Sequence, residues 1–224
     1  SGSKIQQARE ALVQGLGALK EKDRFGVIAF SSDVDLFEKE MVGATRENLA
    51  RATRYVENIK AAGSTNLNDS LEAAFKLVGK DPMRMPMILY CTDGLPTVGE
   101  QDMNKILGHA KRRNPDVPDQ ARVFVFGVGN DVNTQFLDRL AEEHRGARDY
   151  VAPEEKIEVK LSALMDKLSS PVLSNLAVDL GGIKMKDLHP RRLPDLFKGS
   201  QLVLFGRYEG EGPATLTLKG AAAG

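Results

Sequence analysis

The stretch that most constrains this chain is Met87-Ile88-Leu89-Tyr90-Cys91-Thr92, an unbroken, largely apolar run that stops abruptly at Asp93-Gly94-Leu95-Pro96-Thr97. A short apolar run bounded by turn residues reads as a strand buried on both faces, the environment of a parallel strand roofed by helices. In open α/β sheets, ligands sit in the loops just past the carboxyl ends of such strands. Asp93 is therefore a candidate site residue at a strand end, not a core residue.

The flanking sequence has the matching alternation. Ile5, Ala8, Leu12, Leu16 and Leu19 recur at helical spacing over Lys4 to about Lys20. Phe25 to Phe30 reads as a strand, Ser31-Ser32-Asp33 as a turn and Val34 to Phe37 as a half-exposed partner, an antiparallel hairpin at a sheet edge. Thr45 caps a helix to about Ala61 that carries Leu49, Ala52, Val56 and Ile59 on one face. The polar loop Gly63-Ser64-Thr65-Asn66-Leu67 then runs into a helix with Leu71, Ala74, Leu77 and Val78 facing in, and Asn68 and Asp69 read as its caps. A helix from Gln101 to Arg112 follows, then a strand from Arg122 to Gly129 and Gly129-Asn130-Asp131 capping a helix through Phe136, Leu137 and Leu140. A short edge strand over 146–151 and a last helix from Ile157 to Leu168 complete this part. Such alternation implies an α/β fold with a doubly wound, mostly parallel, Rossmann-like sheet over residues 1–169.

At Ser169-Ser170-Pro171 the pattern changes. Val172 to Leu180, Ile183 to Leu188, Gln201 to Tyr208 and Ala214 to Lys219 read as strands separated by Gly- and Pro-rich turns. Residues 170–224 thus form a small β-rich segment, part of a β-sandwich. At roughly 50 residues it is marginal alone and is expected to dock on the first domain or pair with other strands.

Composition narrows the partners. Lys+Arg and Asp+Glu are 31 each, so the formal net charge is zero and the chain lacks the basic excess that phosphate backbones select, which argues against nucleic acid. No apolar run reaches a membrane span, and no signal-type segment stands at the N-terminus. The single Cys91 lies inside the apolar run and reads as structural, while His109, His144 and His189 stand apart from any nucleophile spacing.

Two strand-end loops, Ser64-Thr65-Asn66 and Thr92-Asp93-Gly94, carry small oxygen ligands. A hard cation such as Mg²⁺ takes carboxylate, hydroxyl and water oxygens, and Thr65 and Asp93 fit that description. A strand-end Asp-Gly is equally an Asx turn, so chemistry alone leaves both readings open.

The order Asp-Arg-Phe-Gly-Val-Ile-Ala-Phe at 23–30, Gly-Ser-Thr-Asn-Leu at 63–67, Thr-Asp-Gly-Leu-Pro-Thr at 92–97 and Phe-Gly-Val-Gly-Asn-Asp-Val-Asn at 126–133 resembles a von Willebrand factor type A domain. More narrowly, it resembles the version in inter-alpha-trypsin inhibitor heavy chains and their bacterial relatives. Pro190 to Phe197 and Val203 to Tyr208 are similar to the β-rich segment that follows the A domain there. The resemblance implies a metal-ion-dependent adhesion site built from three loops, with Thr65 as the second-loop threonine and Asp93 as the third-loop aspartate. It also implies Mg²⁺, Mn²⁺ or Ca²⁺ as the ion and a protein ligand whose acidic side chain completes the coordination. Asn66, Gly94 and Leu95 would form the partner-binding rim. Secretion, a periplasmic location or the cell surface follows by the same resemblance.

The first loop departs from the pattern. In the family a central apolar strand ends in Asp-x-Ser-Gly-Ser-Met, followed by Gly-x-Lys-Ile and the first helix. Either Ser1-Gly2-Ser3 is the Ser-Gly-Ser, making Ser1 and Ser3 ligands, or Gly2-Ser3-Lys4-Ile5 is the Gly-x-Lys-Ile step, which fits without a gap and leaves strand and first loop absent. In the second case ion binding is expected to be weak or lost, and a compensating strand is expected from strand exchange, a second copy or a longer protein. The chain is thus expected to be a non-enzymatic adhesion or protein-binding module, with a structural A domain bearing a dead metal site as the alternative. A phosphatase or nucleotide-binding enzyme fits less well, because Gly127-x-Gly129 lacks a third glycine, no phosphate-cradling Gly-Lys-Ser/Thr loop exists and no second carboxylate accompanies Asp93 in its loop.

Overall fold

A computed structural model of the chain describes residues 2–60, 63–79, 81, 84–92, 95–115, 120–128, 132–152, 155–168, 171–197 and 199–222. Its centre is the strand β6 (Arg122–Val128), which pairs in parallel with β5 (Met87–Thr92) on one side and with β7 (Arg148–Val151) on the other. Met87 stands opposite Arg122 and Thr92 opposite Gly127. Alternation along β6 sends its side chains into two separate cores. Val123 and Val125 pack with Ile88 and Tyr90 of β5 beneath α3 (Leu67–Val78), α4 (Met103–Arg113) and α5 (Thr134–Glu143). Phe126 packs on the opposite face with Cys91, beneath α1 (Gly2–Gly17) and α6 (Ile157–Leu168). β5 and β6 are thus covered on both faces, which explains why their sequences read as nearly continuous apolar runs.

The parallel sheet is smaller than the alternation of elements implies. The segment expected as one strand over Phe25 to Phe30 is divided into β1 (Arg24–Phe25), which pairs with β4 (Val42–Gly43), and β2 (Ile28–Phe30), which forms an antiparallel hairpin with β3 (Val34–Leu36). Among the described residues neither pair is hydrogen-bonded to β5, so the sheet is interrupted between β2 and β5. Two devices hold the halves together: α3 packs on β2, β3 and β5, and the rings of Phe30 and Tyr90 stack with centroids 5.5 Å apart. A further core joins α1, α2 (Arg46–Asn58) and the hairpin region through Leu16, Phe25, Val27, Ala52 and Val56. Thr45 caps α2 by accepting the Asn48 N–H, as its sequence position implies.

The C-terminal segment is all β: β10 (Leu196–Phe197), β8 (Pro171–Asp179) and β12 (Thr217–Ala222) form one sheet, and β9 (Lys184–His189) pairs with β11 (Phe205–Glu209). It docks on β6 through Arg122 and Phe124. Phe197 meets Phe124 edge to face at 6.0 Å, and Asp195 forms a buried ion pair with Arg122, Oδ2 to Nε 2.7 Å. Asn175 adopts φ +52°, a left-handed conformation that Asn tolerates, while its side-chain oxygen accepts from Arg122 Nη2 at 2.9 Å. The outer strands stay exposed, with Phe205 and Tyr208 largely in solvent.

Candidate functional site

The loop entering α3 and the loop leaving β5 meet at the carboxyl end of the parallel sheet. The Thr97 hydroxyl accepts the Thr65 N–H at 2.8 Å, and the Thr65 carbonyl accepts the Thr97 N–H at 2.9 Å and that of Val98 at 3.4 Å. The turn between β2 and β3 joins them, because the Ser31 carbonyl accepts the Asn66 N–H at 2.8 Å. Three connections are thereby pinned to one another around Thr65. The hydroxyl of Thr65 itself makes no hydrogen bond to the described residues, which leaves an oxygen available to a ligand.

Asn66 has a different task from the rim role that the resemblance implies. It is 6% exposed, and its Oδ1 accepts the Asp69 N–H at 3.2 Å while its Nδ2 donates to Asp69 Oδ2 at 2.8 Å. Asn66, not Asn68 or Asp69, is therefore the cap of α3, because the helix begins at Leu67, three residues earlier than a cap at Asp69 would place it. Asn68 instead turns inward to His109, Oδ1 to Nδ1 2.7 Å, so that histidine is engaged in holding α3 against α4. Gly99 is required beside this cap: it has φ +70°, and a Cβ there would lie 2.8 Å from Asn66 Oδ1.

Leu95 is 49% exposed at the start of the loop, whereas Pro96 behind it is buried. Ser1, Asp93 and Gly94 lie outside the described residues, as does the Gly129-Asn130-Asp131 step; the cap of α5 within them is Asn133, which accepts the Phe136 N–H. Ser3 lies in the first turn of α1. Among the described residues no three His, Cys, Asp or Glu side chains are grouped as metal ligands, and Asp93 is not among them. The donor set suits a hard cation in kind, with the Thr65 hydroxyl, which bonds to no described residue, beside a strand-end loop whose sequence contains a carboxylate, but among the described residues it is sparse in protein ligands.

Cys91 is enclosed by Ala8, Ala11, Leu12, Phe126, Ile157 and Leu161 around a small recess of about 20 Å³, and burial pushes its thiol up to about 12. It is a core residue rather than a nucleophile. His144 is wholly buried, with Nδ1 2.9 Å from Asn114 Nδ2. Sequence reasoning missed Thr97 and the pair Arg122–Asp195. Thr97 stands inside the quoted loop motif, yet nothing in its spacing shows that it reaches a loop 32 residues away. No helix among the described residues is long and apolar enough to cross a membrane.

Comparison with known proteins agrees with this architecture. The von Willebrand factor type A domain profile matches residues 1–150. The mouse inter-alpha-trypsin inhibitor heavy chain 4 is 31% identical over 98% of this chain, and human heavy chain H4 is 30% identical over 97%. The chain spans about a quarter of these relatives' length, 24% in both cases. Among solved structures, a von Willebrand factor type A protein from Catenulispora acidiphila superposes with TM-score 0.71 over 99% of this chain and 55% of its own, at 17% identity. Proximal thread matrix protein 1 of the mussel byssus, described with a zinc-occupied MIDAS motif, superposes with TM-score 0.55 over 80% of this chain and 45% of its own, at 12% identity. The chain belongs to the von Willebrand factor type A domain family.

Proposed function

We propose that this chain is a non-enzymatic protein-binding or adhesion module whose contact point is the carboxyl end of β5, where Thr65 and Asp93 hold a divalent cation, Mg²⁺ or alternatively Mn²⁺ or Ca²⁺. The observation that supports this reading is the clasp between Thr65 and Thr97, which holds the Thr65 backbone against the loop that leaves β5, while the Thr65 hydroxyl makes no hydrogen bond to the described residues. When bound, the ion would supply a positive centre that accepts an acidic side chain of a partner protein. This chain's residues orient the site: Asn66 rigidifies the start of α3 from within, and exposed Leu95, with Gly94, offers the surface beside the ion. Residues 1–169 act as the A domain and 170–224 as a docked β-rich support. The heavy-chain relatives favour an extracellular, periplasmic or cell-surface setting.

Isothermal titration with MgCl₂ and MnCl₂ tests this reading. Wild type should give a saturable heat that disappears in Asp93→Ala and weakens in Thr65→Val. Equal heats in wild type and Asp93→Ala would remove the metal from this site, leaving an A domain that works through its surface alone.

A further inference from the structure

A cleft of about 240 Å³ lies where the C-terminal segment meets the turn after α5, and it shares no residue with the strand-end loops around Thr65. Leu176 and Val178 of β8, Leu188 of β9 and Leu193 give it an apolar wall, with Leu176 and Leu193 buried. Arg145, Arg191 and Arg192 line it too, and no Asp or Glu is among the described residues that do so. Sites that enclose a whole small molecule run to roughly 300–1,000 Å³, so a smaller cleft suits side chains of a larger partner. The arginines are set differently. Arg192 Nη1 donates to the Glu143 carbonyl at 2.5 Å and Arg145 Nη1 to Asn175 Oδ1 at 3.3 Å, bonds that position both guanidinium groups through neutral oxygens. Arg191 is exposed and bonds to no described residue.

The backbone at Arg145 is an independent observation. Helix α5 ends in a Schellman motif, in which the Gly146 N–H donates to the Ala141 carbonyl at 3.0 Å and the Arg145 N–H to the Glu142 carbonyl at 3.4 Å. This motif needs a left-handed residue just before Gly146, and Arg145 has φ +53°. Glycine ordinarily takes that position, because a Cβ is disfavoured there. An arginine in its place gives up local stability and sets a guanidinium at the cleft, a pattern typical of binding sites.

We propose that this cleft docks an acidic, aliphatic segment of a partner protein. A Glu or Asp carboxylate is taken by Arg191 in the field of Arg145 and Arg192, and a neighbouring Leu or Val rests on the apolar wall. Guanidinium matches carboxylate through paired N–H···O bonds, which makes arginine the residue suited to this contact. A bare anion would use the arginines and leave the wall wet. A purely apolar segment would use the wall and gain nothing from the arginines. A peptide that carries both kinds of side chain uses all of the lining.

Fluorescence anisotropy with the labelled peptide Gly-Ser-Leu-Glu-Glu-Val-Ser-Gly tests this on the wild-type chain, with EDTA present so that no cation near Thr65 recruits the carboxylates. The peptide should bind saturably at one per chain, and more weakly as NaCl rises. Arg191→Gln should weaken binding by about tenfold or more, the ordinary worth of a charged hydrogen-bonded contact. Arg145→Gly should also weaken binding while its thermal midpoint stays at or above that of wild type, because glycine suits the left-handed position. Peptides with Gln for both Glu, or with Ser for both Leu and Val, should bind much more weakly than the first. The proposal is overturned if wild type does not bind, or if Arg191→Gln and Arg145→Gly both leave the affinity unchanged. It is also overturned if the Ser peptide binds as well as the first or if inorganic phosphate displaces the first at equal concentration, either of which would make the cleft a plain anion site.

Discussion

The hydroxyl of Thr97 accepts the backbone N–H of Thr65 at 2.8 Å while the Thr65 carbonyl accepts the N–H of Thr97 at 2.9 Å, so two loops far apart in sequence are clasped by a reciprocal pair of bonds. Thr97→Val keeps the shape and removes only the acceptor. It should lower stability by about 1 kcal/mol in urea unfolding, the ordinary net worth of one such bond. If Thr65 is a ligand, the same variant should also weaken Mn²⁺ binding severalfold in titration calorimetry. An unchanged affinity would show that the clasp does not position the site.

The Arg122–Asp195 pair joins β6 to the C-terminal segment with side chains only 2% and 0% exposed. Asp195 also accepts the Asn175 N–H at 2.9 Å, and the Gln120 carbonyl accepts from Arg122 Nη1 at 2.5 Å. Asp195→Ala leaves a buried guanidinium without its carboxylate and should cost about 3–5 kcal/mol in equilibrium unfolding. The double variant Arg122→Met with Asp195→Leu should recover a large part of that loss, because no charge is then left buried. Equal losses in the single and double variants would refute the account.

What the sequence made legible follows from local pattern. The apolar run at 87–92, the cap at Thr45 and the helix Ile157–Leu168 stand where periodicity and turn chemistry put them. The division of Phe25 to Phe30 into two strands was hidden, because Gly26 and Val27 continue the apolar run while the chain changes partner from β4 to β3. Asn66 reads by resemblance as a rim residue, and the structure adds that it is 6% exposed and caps α3, because a polar cap and a polar rim look alike in sequence. Arg122 and Asp195 are 73 residues apart, and nothing local marks either charge as buried.

Cys91 gives a direct reading of how closed the core beneath α1 is. With its thiol pushed up to about 12 by burial, the thiolate at pH 8 is rare. Alkylation by iodoacetamide should be slower than for an unfolded chain by on the order of a thousandfold. Mass spectrometry of native and urea-unfolded protein measures the ratio. A native rate within a few-fold of the unfolded one would mean that α1 opens readily and exposes the sulfur.

The corner between β7 and α6 should make stability depend on pH in both directions. The Ala152 N–H, at 2.8 Å, and then Lys160, at 3.0 Å, hold the Glu155 carboxyl below the usual carboxylate range, while Glu155 and then Asp149 hold Lys160 above the usual ammonium range. A lowered carboxylate contributes stability that is present above its unfolded value of about 4.3 and is lost as pH falls through the folded value. A raised ammonium contributes stability that is complete below its unfolded value of about 10.4 and is lost as pH rises through the folded one. The difference in thermal midpoint between wild type and Glu155→Gln should therefore stay flat from about pH 5 to about pH 9 and shrink below about pH 4 as the carboxylate protonates. A difference that persisted undiminished at pH 2 would show that the glutamine loses packing rather than charge.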